Sequence, residues 1–411
     1  MSDARLERTI FISALEHSAE MHCANLMAAV DTLHPYDADW PQTLFDLPPL
    51  GSPPVKLNWA GFGGQRMEEQ GCKLMDNTVN RAAMIYNVLG QLGYYKKLIR
   101  LACEYFENNT VDLVVVCDSP AFNFHIAKAA KRYGIPVLFY VAPQLWAWAP
   151  WRIHKLKRCC DRLACILPFE KEWFSRRGVQ AEFVSNPLFD ETPPDVDANR
   201  KDYETYKPAS PNIALLPGSR DAEIDALWPA MLDIAFVLKE KHPQATFTAC
   251  APDELKRARL ESIAGDLSKY GLTVNYEVNT LMDLAKRSDF ALVASGSATL
   301  QVAAAGCPMA VMYQSSRLMW HTVGRWLIRT RYLSLPNILA KREIVPEYMP
   351  YFRAIEPIAQ RVHRLLTSPV QMSRMSHELT RLVKPLTERR ASDAVGQIVL
   401  DMLFETNPKK H

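Results

Sequence analysis

Glycine is scarce in this chain, with 16 residues in 411, cysteine is limited to nine, and no sign of charge prevails. Globular proteins average about 7% Gly, so this content excludes collagen-like and glycine-rich flexible architectures. The cysteines are scattered singly apart from the vicinal Cys159-Cys160, without a CxxC pair or a Cys/His cluster. That excludes a disulfide framework and a structural zinc site, and suits a reducing cytosol. A formal charge of +3, from 48 basic against 45 acidic residues, leaves no electrostatic footprint for nucleic acid. No segment reaches the roughly 18 uninterrupted apolar residues of a membrane-spanning helix. Met1 to Arg8, with Asp3 and Glu7 before a short apolar run, does not read as a secretory signal.

What the chain does have is 48% hydrophobic and 23% charged residues, the balance of a folded globular protein, over a length suited to two domains. Short β-branched runs alternate with helical stretches, first at Thr9-Ile12, Val111-Val116, Val137-Tyr140 and Ala164-Leu167. The rhythm restarts at Ile213-Leu216, Thr246-Ala249, Leu272-Tyr276, Phe290-Ala294 and Met309-Tyr313. Repeated βαβ units of this kind predict two doubly wound α/β domains built on buried parallel sheets. Pro187, Pro193, Pro194, Pro208 and Pro211 crowd the stretch between the halves and mark the boundary. The expected division is a Rossmann-like domain at 1–190, a second at 191–355, and helices at 356–411 free to pack back on the first domain.

Ligands of open α/β sheets gather beyond the carboxyl ends of strands, where helix N-termini present backbone N–H groups. Two such places in the second domain carry suitable chemistry. Ile213-Leu216 leads into Pro217-Gly218-Ser219-Arg220, where glycine permits close approach, Ser219 offers a hydroxyl and Arg220 a fork of donors for diphosphate oxygens. A capped helix start would look similar. Phe290-Ala294 leads into Ser295-Gly296-Ser297-Ala298-Thr299-Leu300-Gln301, a cluster of hydroxyl and amide groups fit for phosphate and ribose; a tight packing turn explains the glycine alone.

In the first domain, Val111-Val116 delivers Asp118 and Asn123, and Asp118 reads either as a general base or as a helix N-cap. Met84, Ile85, Val88, Leu89 and Leu92 line one side of a helix predicted within 80–105, with Tyr94, Tyr95, Lys96, Lys97 and Arg100 following. Such a face suits core packing or a lipid headgroup layer. Trp146, Trp148 and Trp151 form either a substrate wall or a buried aromatic cluster.

Several of these words, in order, resemble the lipid-A-disaccharide synthase family over nearly the whole chain. They are Gly61-Phe62-Gly63-Gly64, Val141-Ala142-Pro143-Gln144-Leu145-Trp146, Ile166-Leu167-Pro168-Phe169-Glu170, Leu216-Pro217-Gly218-Ser219-Arg220, Ser295-Gly296-Ser297-Ala298-Thr299 and Leu335-Pro336-Asn337-Ile338-Leu339. The resemblance implies a GT-B fold, two Rossmann-like domains facing a cleft. It implies an inverting transfer of diacylglucosamine from UDP-2,3-diacylglucosamine to 2,3-diacylglucosamine 1-phosphate, releasing UDP. Arg220 then handles the donor diphosphate, with Ser219, Ser295, Gly296, Ser297, Thr299, Gln301 and Asn337 on the donor side and Asn123 and Trp146 on the acceptor side. No cofactor or metal is expected. The implied partners are the two acylated sugars, a membrane surface met through Met84-Leu92, and a second copy of the chain, and the implied place is the cytoplasmic face of the inner membrane.

The chain departs from the family at three places. Gln301 stands where the family usually has Glu, Ala121 where it commonly has the Asp favoured as base, and Glu16-His17-Ser18-Ala19-Glu20 in a turn the family builds with glycine. Asp118 therefore ranks first as base, with His17 and Glu16 as substitutes. A catalytically silent UDP-sugar or lipid-binding protein and a UDP-sugar epimerase are the competing readings.

Overall fold

Buried β-branched and aromatic residues build the first sheet: Ile10, Phe11 and Ile12 of strand β1 and Val114, Val115 and Val116 of β4 are fully enclosed. The computed structural model describes residues 7–34, 55–79, 88–315 and 330–404, with side chains in the third stretch from residue 92 onward. The chain divides into two compact units, 1–191 with 388–411, and 192–387.

In chain order the first unit contains β1 (Glu7–Ser13), α1 (His17–Leu33), β2 (Lys56–Gly63), α2 (Gln65–Glu69), β3 (Lys73–Asn77) and α3 (Val88–Asn108). It continues with β4 (Leu113–Cys117), α4 (Pro120–Arg132), β5 (Val137–Tyr140), α5 (Ile153–Cys159), β6 (Arg162–Cys165), α6 (Pro168–Ser175) and β7 (Ala181–Phe183). The strands are parallel in the order β3-β2-β1-β4-β5-β6-β7. The order reverses between β1 and β4, and that crevice is where such a sheet receives ligands.

β2 and β3 lie where the sequence shows no strand rhythm. Lys56–Gly63 carries Gly61 and Gly63, which read as turn signals, and Lys73–Asn77 is short and polar at the sheet edge. Gly61, at φ 153°, has a structural role: a Cβ there would stand 1.9 Å from the carbonyl oxygen of Ile12 on β1.

The second unit holds β8 (Asn212–Leu216), α7 (Asp221–Lys241), β9 (Thr246–Ala251), α8 (Glu254–Ala264), β10 (Val274–Val278), α9 (Leu281–Arg287) and β11 (Phe290–Ala294). α10 (Ala298–Ala304), β12 (Met309–Met312), α11 (Leu335–Ala340), β13 (Glu347–Tyr348), α12 (Glu356–Leu366) and α13 (Pro369–Val383) complete it. Its parallel order, β10-β9-β8-β11-β12-β13, reverses between β8 and β11.

The segment 356–411, grouped as one piece by sequence, is divided by its packing. α12 and α13 stay with the second unit, where Ser376 Oγ accepts the N–H of Lys201 at 2.9 Å and Tyr206 donates to the carbonyl of Leu366 at 3.0 Å. The last helix, Ala391–Phe404, belongs to the first unit and shares a core with α1 through Val395, Ile398, Val399 and Leu403. Asp190 pins its start by accepting the N–H groups of Ala391 and Ser392 at 2.6 and 2.8 Å.

Candidate functional site

Both sequence-derived turns of the second unit flank its switch point. Beyond β8 and β11 lies a pocket of about 360 Å³, lined among others by Gly218, Ser219, Arg220, Ser295, Gly296, Ser297 and Gln301. Strand ends buried in the sheet force the chain into solvent here, so Ser219, Arg220, Gly296 and Ser297 are exposed at the rim. The N–H groups of Thr299 and Leu300 turn back to the carbonyls of Gly296 and Ser297, at 3.2 and 2.9 Å. The turn's own bonding thus leaves out the N–H groups of Gly296 and Ser297, which suit an anion.

Arg220, 74% exposed, reaches back to Glu223 on the first turn of α7, with Nη1 donating to Oε1 at 2.9 Å. Gly218 has φ 106°, and a Cβ on it would lie 2.7 Å from the other oxygen of Glu223. Glu223 therefore underpins both groups, and the Arg-x-x-Glu spacing at a helix start is the sequence signal that points to it.

Thr299 and Asn337 do other work. Thr299 is fully buried and its hydroxyl donates to the carbonyl of Gly296 at 2.7 Å, which shapes the turn. Asn337 is fully buried too. Its amide donates to Val345 O and Glu347, both at 2.9 Å, and its oxygen accepts the N–H groups of Ile344 and Val345. An asparagine with both donors and both lone-pair directions engaged has none left for a sugar.

A larger groove of about 1010 Å³ lies between the 197–206 segment and α13. Among its charges Lys384 pairs with Asp197 and His377 with Asp202.

At the first unit's switch point β4 leads into Asp118 and Ser119, both left-handed at φ 50° and 41°. Such strain in non-glycine residues persists only where surroundings enforce it. Asn123 is the enforcer: buried completely, it donates to the carbonyls of Cys117 and Asp118 at 2.8 and 2.9 Å and accepts the hydroxyl of Ser13 at 2.8 Å. Its side chain is spent on the turn rather than on an acceptor sugar. The N-cap of α4 is Ser119, so the cap reading of Asp118 does not hold. Burial raises the pKa of the Asp118 carboxyl, and the negative charge of Glu16 adds to the rise. Glu16, His17 and Ser18 are exposed beyond β1, and Ala121 is exposed at the start of α4.

Trp146 is buried and points its indole N–H into the protein, donating to Glu170 at 2.8 Å. Glu170 also accepts the N–H groups of Ile166 and Leu167, at 3.1 and 3.0 Å. Burial raises its pKa to about 7, against the opposing pull of those three donors. Trp148 and Trp151 remain 42% and 57% exposed.

On the helix read as amphipathic, Met84 and Ile85 lie outside the described residues, as do the side chains of Val88 and Leu89. Leu92 is 51% exposed. Tyr94 and Lys97 bind inward to Asp76, at 2.9 and 3.0 Å, so they are committed to the fold. No described helix is long and apolar enough to cross a membrane, and among the described residues no three His, Cys, Asp or Glu converge for a metal.

The family model for lipid-A-disaccharide synthetase matches residues 10–402. The lipid-A-disaccharide synthase of Geobacter metallireducens is 31% identical over 398 residues, covering 96% of this chain and 97% of the relative. That of Myxococcus xanthus is 30% identical over 396 residues, covering 96% and 97%. Among solved structures, a putative UDP-N-acetylglucosamine 2-epimerase from Listeria monocytogenes superposes with a TM-score of 0.58 at 13% identity, covering 98% of each chain. MurG of Acinetobacter baumannii gives 0.57 at 14% identity, covering 96% of this chain and 99% of that one. Likeness at such identity shows the fold, the two-domain α/β architecture of the GT-B class.

Proposed function

The chain belongs to the lipid-A-disaccharide synthase family, and from that premise we propose that it is an inverting glycosyltransferase of lipid A synthesis. It moves diacylglucosamine from a UDP-linked donor to the hydroxyl of diacylglucosamine 1-phosphate and releases UDP. The observation that carries this reading is the pocket at the second switch point, where an exposed arginine and an open serine-glycine turn converge.

A leaving diphosphate needs its growing charge stabilised, and preorganised donors do this without reorganising at the moment of reaction. Arg220 and the N–H groups of Gly296 and Ser297 are those donors, and Gln301 takes the ribose. The acceptor hydroxyl must lose a proton as its oxygen attacks the anomeric carbon. Asp118, His17 and Glu16, at the carboxyl edge of the first sheet, are the groups from which the base is drawn. Trp148 and Trp151 supply an aromatic surface for acyl or sugar groups, and Leu92 belongs to the face that meets a membrane. The relatives' name speaks for transfer over epimerisation.

Mass spectrometry of the products from acylated UDP-glucosamine and diacylglucosamine 1-phosphate tests the proposal, with an acylated disaccharide phosphate plus UDP expected. UDP binding without any disaccharide would favour the silent homologue, a reading that the exposed Ala121 keeps in view.

A further inference from the structure

The first switch point carries a pair of side chains whose partnership is unassigned. His17 opens α1 with its side chain 72% exposed, and Glu20, one turn on, is 5% exposed with Oε2 3.4 Å from His17 Nδ1. A carboxylate withdrawn from water is costly unless it is held by partners. Glu20 is held from its other side: Oε1 accepts the backbone N–H of Arg66 at 2.9 Å. It is also walled in, since a Cβ on Gly64 would lie 2.2 Å from that same oxygen. The fold therefore holds a buried carboxylate within 3.4 Å of one nitrogen of an exposed imidazole, at the end of the strand that neighbours the one leading to Asp118.

The geometry points to His17 as the general base of the transfer and Glu20 as its positioning residue, a dyad that does the work for which Ala121 has no carboxylate. This rests on the transferase reading above. At 3.4 Å the Glu20 carboxylate lies within ion-pair reach of Nδ1, and closing to hydrogen-bond distance over the bound acceptor would place the donor at that nitrogen and turn Nε2 outward as the acceptor, the arrangement by which a buried acid orients a histidine base. The acceptor oxygen gives an electron pair to the anomeric carbon, and the bond from that carbon to the diphosphate oxygen breaks with its pair leaving on UDP. The hydroxyl proton passes to His17 Nε2. The imidazolium is balanced by Glu20 and returns the proton to water after the disaccharide departs. Asp118 then serves to hold the acceptor.

Because His17 is exposed, its replacement leaves the core intact, and the test begins there. His17→Ala is expected to lower kcat by about a hundredfold or more while the donor KM stays within about twofold. Added imidazole should recover at least about tenfold of that loss, since it can take the proton that alanine cannot. Glu20→Gln should lower kcat by about tenfold without response to imidazole, and Glu20→Asp should restore part of it. Asp118→Ala should act on the acceptor KM more than on kcat. A working wild type whose His17→Ala form keeps kcat within about threefold overturns the dyad and leaves the transferase reading standing. A wild type that binds UDP and makes no disaccharide overturns both.

Discussion

The two sheets reverse their strand order at equivalent places and do opposite things there. At the second unit's edge, short side chains and Gly218 leave a pocket of about 360 Å³ with Arg220 exposed at its rim and paired with Glu223. At the first unit's edge, five non-glycine residues, Asp118, Ser119, Val141, Ala149 and Ser185, adopt left-handed conformations. There the polar groups that looked like ligands turn inward: Asn123 holds the Asp118-Ser119 turn, and Trp146 donates to Glu170. The same topology thus yields an open cradle in one unit and a braced platform in the other. On a platform a polar side chain is spent on conformation, and its loss is read in stability. In a cradle its loss is read in binding.

The sharpest way to break this contrast is Glu170. Its folded pKa of about 7 exceeds the ordinary 4.5, so the folded state keeps a proton that the unfolded chain gives up between these values. Stability from this group is therefore greatest near pH 4.5 and falls as pH rises to about 7, by ~3 kcal/mol. Denaturant unfolding of wild type and Glu170→Gln across that range should show the difference between them shifting by that amount, with UDP affinity unchanged. A flat difference, or a lost affinity for UDP, would mean that the two edges are not separate in function. Next in size is Gly218→Ala, on the cradle side. A left-handed backbone and the crowding of Glu223 together cost ~2 kcal/mol, shared between a lowered melting temperature and, where the free turn relaxes and UDP must restore it, a binding loss of up to about thirtyfold by calorimetry.

Much of this was legible before any coordinates. The βαβ rhythm located β1, β4, β5, β8, β9, β11 and β12, because central parallel strands are buried on both faces and read as plain apolar runs. β2 and β3 escaped, since Gly61 answers to a close approach to β1 and Lys73–Asn77 is an edge strand with polar residues. The site was legible as strand ends and much less as side-chain direction. Asn123, Asn337, Thr299 and Trp146 have the chemistry of ligands, and one-dimensional reading has no means of showing that a donor is already satisfied by a carbonyl or carboxylate of its own fold. Glu20 and Glu223 left a fainter trace, a spacing of three. Each acts through a residue three positions earlier, His17 and Arg220, and only helical geometry brings such pairs together.

Smaller effects refine the cradle itself. Arg220→Ala removes a charged hydrogen-bond donor to the diphosphate, and such bonds contribute ~1.5–3 kcal/mol. With its side chain 74% exposed, water screens Arg220 and places it at the low end, so UDP should bind about tenfold more weakly and unchanged binding would remove the assignment. Gln301→Glu is the mildest change and the most diagnostic of orientation. If Gln301 faces the ribose diol, a carboxylate accepts both hydroxyls more strongly than an amide, and UDP affinity should rise about fivefold. If it faces the diphosphate, like charges meet and affinity must fall. The sign of one calorimetric measurement therefore says which end of the nucleotide lies over α10, and with it which way the sugar points out of the pocket.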